Sequence, residues 1–156
     1  MYAAIMNTAL GSLLIKANDR AVTSIHFLRD NETIPELLDN ELTDQCIIEL
    51  GEYFSGIRVK FSVPLAPNGT QFQQSVWQTL KEIPYGKTCS YGEIAKKLGN
   101  PKAARAIGMA NNRNPIPIII PCHRVLGSNG SLTGYAGGLD NKSYLLNLES
   151  KLPDTL

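Results

Sequence analysis

Along the first thirty residues, apolar positions come in short runs: Tyr2–Asn7, Ser12–Ala17 and Val22–Leu28. Turn-prone Leu10-Gly11 and Asn18-Asp19-Arg20 divide them, so the pattern predicts strands joined by tight connections. From about Pro35 to Phe54 the period changes. Leu38, Leu42, Cys46, Leu50 and Phe54 recur every fourth residue, on one face of a long helix. Cys46 lies on that stripe and reads as a small buried apolar residue. Gly56 ends the helix, and Val59, Phe61 and Val63 alternate as a further strand would.

Pro64-Leu65-Ala66-Pro67-Asn68-Gly69 has the composition of a linker. It predicts two domains, 1–66 and 70–152, and an α+β chain: a small strand-rich α/β domain, then a mostly helical one. Thr70 and Gln73 form a capping box that opens a helix with Phe72, Val76, Trp77 and Leu80 inward. Pro84-Tyr85-Gly86 stops it. Ser90 and Glu93 form a second box, with Ile94, Ala95 and Leu98 inward and Gly99 at the end. Cys89 stands just before that box, where a staple contact with Ile94 accounts for it. Asn100 as cap and Pro101 in the first turn predict a third helix. Two short helices joined by a glycine-containing turn read as helix-turn-helix.

That third helix is nearly all small: Ala103, Ala104, Ala106, Gly108 and Ala110. Lys102, Arg105, Met109 and Asn112 follow at spacings that share one face. Charge is also unevenly divided, −4 over residues 1–69 and +5 over 70–156. A slim helix with cations outward, in a basic half, favours contact with DNA; a solvated helix face is the alternative.

Composition narrows the remaining classes. Apolar residues make up 43% and charged residues 19% of the 156, a globular balance. No apolar run approaches the roughly 20 residues that span a bilayer, and the first residues lack the basic start of a signal peptide. A cytoplasmic protein without a membrane partner is expected. Three cysteines and two histidines, widely spaced, fit neither a disulfide framework nor a structural zinc site, so no metal is expected.

The chemistry concentrates in Asn114-Pro-Ile-Pro-Ile-Ile-Ile-Pro-Cys-His-Arg-Val125. Pro115 and Pro117 forbid a helix, and the isoleucines drive a stiff extended piece into the core. Pro121 halts it, and Cys122, His123 and Arg124 follow. Nearby positive charge makes a thiolate nucleophile, with His123 as its base through a turn or a water. A buried free cysteine beside a surface His–Arg pair fits these residues equally well. Glu149, among Tyr144, Leu145 and Leu148, reads by itself as a surface helix residue. Gly134-Tyr135-Ala136-Gly137-Gly138 lacks dinucleotide-motif spacing, so no nucleotide cofactor is expected. It is a plain turn or the wall of a pocket for a planar ligand.

Together these motifs resemble the O6-alkylguanine-DNA alkyltransferases, the methylated-DNA–protein-cysteine methyltransferases, and look closest to the bacterial constitutive type. Pro121-Cys122-His123-Arg124-Val125, Asn114-Pro115, the Tyr135 loop and Glu149 carry the resemblance, with Pro84-x-Gly86-x-x-x-Ser90-Tyr91 and Ala103-Ala104-Arg105-Ala106-Ile107-Gly108. It is strong over about 70–150. The resemblance implies a ribonuclease H-like first domain and a winged helix-turn-helix that binds duplex DNA through the minor groove. It implies that Cys122 takes an alkyl group from O6-alkylguanine, and from O4-alkylthymine, once per chain. His123 would take the thiol proton through a water, with Glu149 orienting it. Asn114 would be a hinge, and Tyr91 would press the neighbouring phosphate and protonate the departing guanine. Arg105 would fill the gap left by the flipped nucleotide, with Lys102, Ala104 and Ala106 beside it on the DNA. Tyr135, Ala136 and Val125 would line the base pocket. No cofactor is implied, and a monomer is expected.

Two features depart from parts of that family: no zinc cluster stands in the first domain, and Ala136 replaces a serine found in some members. Three other readings compete. A lesion sensor without catalysis would not need Cys122, a transcription regulator would not need Pro-Cys-His-Arg, and a cysteine hydrolase would not need the Arg105 helix.

Overall fold

The computed structural model describes residues 1–127, 130, 135 and 137–151. The chain forms two compact units, one of Met1–Asn68 and one beginning at Gly69. Among the described residues, no helix is long and apolar enough to cross a membrane.

In the first unit, β1 (Tyr2–Thr8), β2 (Gly11–Ala17) and β3 (Val22–Phe27) form an antiparallel sheet in that order. Gly11 takes φ +98° in the β1–β2 turn, a conformation costly for any side chain. Asn18 shapes the β2–β3 turn by accepting the amides of Arg20 and Ala21 on its side chain. Consecutive Leu13, Leu14 and Ile15 are all buried, so both faces of the central strand are covered.

Helix α1 spans Glu41–Phe54 and starts later than the apolar period predicts. Asn40 caps it: its side chain accepts the amides of Leu42 and Thr43, and the Thr43 hydroxyl accepts the Asn40 amide. Leu38 lies outside the helix, 58% exposed, and exchanges two backbone hydrogen bonds with Ala3. The buried face is Thr43, Cys46, Glu49, Leu50 and Tyr53. The strand expected at 59–63 does not form. Glu49 Oε1 accepts the amides of Ser62 and Val63 at 2.8 and 3.1 Å, replacing ladder bonds with a carboxylate clamp. Only Leu65 pairs, as a single bridge to Val22.

In the second unit, α2 (Gln71–Leu80) carries the predicted Thr70–Gln73 box. Val76, Trp77 and Leu80 are buried, but Phe72 is 40% exposed, contrary to its expected inward place. Then come β4 (Cys89–Ser90), α3 (Tyr91–Lys97), α4 (Ala104–Asn112), β5 (Val125–Leu126) and α5 (Leu139–Ser150). β4 and β5 pair in parallel. Asn100 does not cap α4: Ala103 N–H donates to the Asn100 carbonyl at 3.0 Å, so residues 100–103 form a turn and the helix starts only at Ala104. Asn100 N–H donates to Ala95 and Gly99 N–H to Lys96, with Gly99 at φ +74°, a Schellman ending. α4 therefore opens at Ala103 without a side-chain cap.

Candidate active site

The helix-turn-helix of α3 and α4 is held from behind. Trp77 is buried and its Nε1 donates to the Ala110 carbonyl at 2.9 Å, fixing α4 to α2. Ile107, Ala110 and Asn111 are buried, whereas Arg105, Ala106, Met109 and Asn112 are exposed. Lys102, expected on the same helix face, is exposed in the turn leading into α4; Ala104 is half-buried. Tyr91 opens α3, and a Cβ on Gly108 would meet its ring at 3.8 Å. A Cβ at 108 would thus stand in ordinary contact with the Tyr91 ring, and α4 and the start of α3 are neighbours there.

From Asn114 to Pro121 the chain is buried except at half-buried Pro115, but it is wound into turns rather than extended. Ile119 N–H reaches back to the Pro117 carbonyl at 2.9 Å around Ile118, which sits at φ +75°. A β-branched residue in this region is strained, by about 1–3 kcal/mol. Cys122 N–H likewise reaches the Ile120 carbonyl at 2.7 Å around Pro121 (φ −80°, ψ 64°), an inverse γ-turn. Asn114 braces these turns: its Oδ1 accepts the Ile116 amide at 3.0 Å, and its Nδ2 donates to the Ile120 carbonyl at 2.8 Å. The prolines rule out a helix, and close turns satisfy the buried backbone instead.

Cys122–Arg124 then form a single 3₁₀ turn, and all three side chains are buried, so the reading of a surface His–Arg pair fails. Glu149, only 1% exposed, is not a surface residue either. His123 Nε2 lies 2.7 Å from Glu149 Oε2. Arg124 donates from Nε to Glu149 Oε1 at 2.7 Å, from Nη2 to Oε2 at 3.0 Å and from Nη1 to the Ile83 carbonyl at 2.6 Å. These bonds hold the Glu149 carboxyl at a pKa of about 2 despite its burial. Burial drives His123 below its ordinary value, outweighing the Glu149 contact. The ring is therefore neutral at pH 7. With Glu149 taking the Nε2 proton in a hydrogen bond, Nδ1 carries the lone pair.

Burial also pushes the Cys122 thiol up to about 11, opposed by Asn114, by Lys142 and by the backbone amides of Cys122 and His123. Cys122 is therefore a thiol at rest and needs a base when it reacts. Tyr135 and Val125 are buried in the same unit. Ala136 lies outside the described residues, as does Gly134. No group of metal-ligating side chains occurs among the described residues.

Lys142 and Asn111 carry no role in the sequence, and Arg124 takes a different one from the thiol-activating cation expected there. Arg124 grips Glu149. Lys142, fully buried, donates from Nζ to the Val125 carbonyl at 2.6 Å. Asn111 Nδ2 donates to the Cys122 carbonyl at 3.3 Å. A signal for two of the site's charged groups exists: Lys142, Leu145 and Glu149 follow at i, i+3 and i+7, one buried face of α5.

Residues 1–67 match the family model described as 6-O-methylguanine DNA methyltransferase, ribonuclease-like domain, and residues 71–151 match the DNA binding domain of the same family. The chain belongs to the 6-O-methylguanine DNA methyltransferase family. The methylated-DNA–protein-cysteine methyltransferase of Methanosarcina acetivorans is 51% identical, over 96% of this chain and 98% of that protein. The constitutive enzyme of Bacillus subtilis is 44% identical, over 95% and 94%. The structure of Mycobacterium tuberculosis OGT in complex with DNA superposes with a TM-score of 0.89 at 41% identity, covering 99% of this chain and 96% of that one. In this member of the family, the Cys122–His123–Glu149 cluster and α4 all lie within the segment matched to the DNA binding domain.

Proposed function

We propose that this protein repairs alkylated DNA by transferring the alkyl group of O6-alkylguanine, or of O4-alkylthymine, irreversibly to Cys122. The observation that carries this reading is a buried thiol on a turn with a neutral histidine whose free lone pair and carboxylate partner form a proton acceptor. The thiol proton passes through a water to His123 Nδ1, and Glu149 stabilises the resulting imidazolium. Sγ bonds to the alkyl carbon as the carbon–O6 bond breaks, and the electron pair leaves with guanine. Tyr91 supplies the proton that guanine takes up. The thioether product is a poor leaving group, so each chain acts once.

The target carbon lies on a base edge inside the duplex, so the nucleotide must be extruded. Arg105 on exposed α4 fills the gap, with Lys102, Ala104 and Ala106 along the groove. Asn114 is the hinge that holds the Cys122 turn, and Tyr135, Ala136 and Val125 line the base pocket. The basic second half of the chain offsets phosphate charge without reading sequence. One chain acts per lesion, as a monomer in the cytoplasm. Cys122 itself favours transfer over the lesion-sensing alternative, which needs no nucleophile.

The test is to mix the protein with duplex DNA carrying one O6-methylguanine and map its peptides by mass. One methyl on Cys122 and restored guanine are expected. Unmodified Cys122 with the lesion intact refutes the proposal. Cys122→Ala retains DNA binding and loses transfer.

A further inference from the structure

Two buried polar atoms beside Cys122 have no hydrogen-bond partner among the described residues: His123 Nδ1 and Asn111 Oδ1. His123 is fully buried and Asn111 is 1% exposed, so bulk solvent does not satisfy either atom. Both border the Cys122 peptide, one by sequence and the other through the bond from Asn111 Nδ2 to the Cys122 carbonyl. That bond also fixes which way the amide faces. Flipping it would set two oxygens against each other, so Oδ1 is the atom left over.

Both leftover atoms are acceptors. Nδ1 is one because Nε2 gives its hydrogen to Glu149, and Oδ1 is one by its chemistry. They cannot bond one another, and the single thiol hydrogen can serve only one of them. A water has two hydrogens and a lone pair, and a buried water needs two to four polar partners. We propose that one water donates to both His123 Nδ1 and Asn111 Oδ1 while accepting from the Cys122 thiol, which makes Asn111 the positioning residue of the proton relay. The inference rests on the alkyl-transfer reading. In the step, the Cys122 S–H proton moves to the water oxygen. The water hydrogen facing Nδ1 moves to His123, and the hydrogen held by Asn111 stays in place. No other reactant is needed.

Asn111 also has an outward consequence. It lies on the buried side of α4, whose other side exposes Arg105, Ala106 and Met109. The helix assigned to DNA therefore carries one of the anchors of the relay.

The test is the pH profile of single-turnover methyl transfer from an O6-methylguanine duplex, for wild type, Asn111→Leu, Asn111→Gln and His123→Gln. The charged and titratable groups around the relay are Glu149 and Lys142 on α5, Arg124 in the same turn, and Cys122, Tyr135 and Tyr85. They are common to all four proteins. Wild type should be flat between pH 7 and 9. Asn111→Leu should be roughly ten- to a hundredfold slower at pH 7 and rise about tenfold per pH unit, because hydroxide replaces the relay. A merely structural defect would lower the profile without tilting it. Asn111→Gln keeps both the amide oxygen and an N–H donor for the Cys122 carbonyl and adds no titratable group, so it should stay flat, and it decides the matter should Asn111→Leu not fold. A flat profile for Asn111→Leu, or a rising one for Asn111→Gln, overturns the proposal. Failure of wild type to label Cys122 would instead overturn the alkyl-transfer reading. A rising His123→Gln beside a flat Asn111→Leu overturns the role of Asn111 alone.

Discussion

Arg124 holds Glu149 with two nitrogens, Nε on one carboxylate oxygen at 2.7 Å and Nη2 on the other at 3.0 Å. The pair is sealed from solvent, and His123 shares the second oxygen. One guanidinium thus sets the orientation of the carboxylate that orients the histidine. Removing one partner of a buried pair strands the other charge. Arg124→Met should therefore cost about 3–5 kcal/mol in urea unfolding. Arg124→Lys should recover only part of it, because an ammonium cannot fork two oxygens. A loss below about 1 kcal/mol would show that the pair is solvated.

The same cluster sets the acid limit. Glu149 is depressed from 4.5 to about 2, so its stabilisation is complete above pH 4.5 and disappears as pH falls toward 2. That shift amounts to about 3 kcal/mol at most. His123 is also depressed, so the unfolded chain takes up its proton first as pH falls through 6.5. Both effects act in one direction. Stability measured by urea titration should fall steadily below about pH 6.5, and Glu149→Gln should flatten the limb below pH 4.5.

At the alkaline end the buried thiols act. Cys46 is raised from 9.0 to about 12 and Cys122 from 9.0 to about 11, both by burial. A raised thiol stabilises the fold fully below pH 9 and loses that contribution as pH climbs through its folded value. Protein already alkylated on Cys122 has no thiol left to ionise there. Its melting temperature should decline less steeply above pH 9 than that of the unreacted protein. Identical slopes would place Cys122 in contact with solvent.

Much of this arrangement is legible in the sequence, and the exceptions have physical causes. The three strands and both capping boxes follow from local rules: alternating burial, turn residues, and side chains that satisfy the first amides of a helix. The start of α1 is misplaced by periodicity because Leu38 continues the stripe while Asn40 offers a stronger local cap. The expected strand at 59–63 loses to Glu49, a partner more than ten residues away. Asn100 looks like an N-cap, but a turn closed from Ala103 N–H to its carbonyl delays the helix to Ala104. At the site, Cys122 and His123 stand out by their position after a proline-rich apolar segment. Glu149, Lys142 and Asn111 do not, since their burial depends on which surfaces α5 and α4 turn toward the Cys122 segment. Resemblance to a family supplies Glu149 where residue chemistry alone points the other way.

Gly69 tests the packing under α2. A Cβ there would run into the ring of Trp77, which is buried and held by its bond to Ala110. Gly69→Ala should destabilise the protein by about 1–3 kcal/mol and lower its affinity for undamaged duplex, since Trp77 braces α4. Unchanged stability would mean that the Gly69 backbone can move aside.

Lys142 is the nearest test of the electrostatics at Cys122. Its charge opposes the rise of the thiol, and its Nζ anchors the Val125 carbonyl. Lys142→Met keeps the length of the side chain and removes the cation. Transfer should slow by at least tenfold, and the thiol should titrate higher when followed by ultraviolet absorbance of the thiolate. An unchanged titration would remove Lys142 from the account of Cys122.

The central claim is that Cys122 itself accepts the alkyl group, once. The direct measurement is a titration of the protein with an excess of duplex carrying isotopically labelled O6-methylguanine, followed to completion. The account predicts a plateau of one label per chain, all of it on Cys122, and none in Cys122→Ala. Label that keeps leaving the DNA beyond one equivalent, or a plateau on another residue, would contradict it.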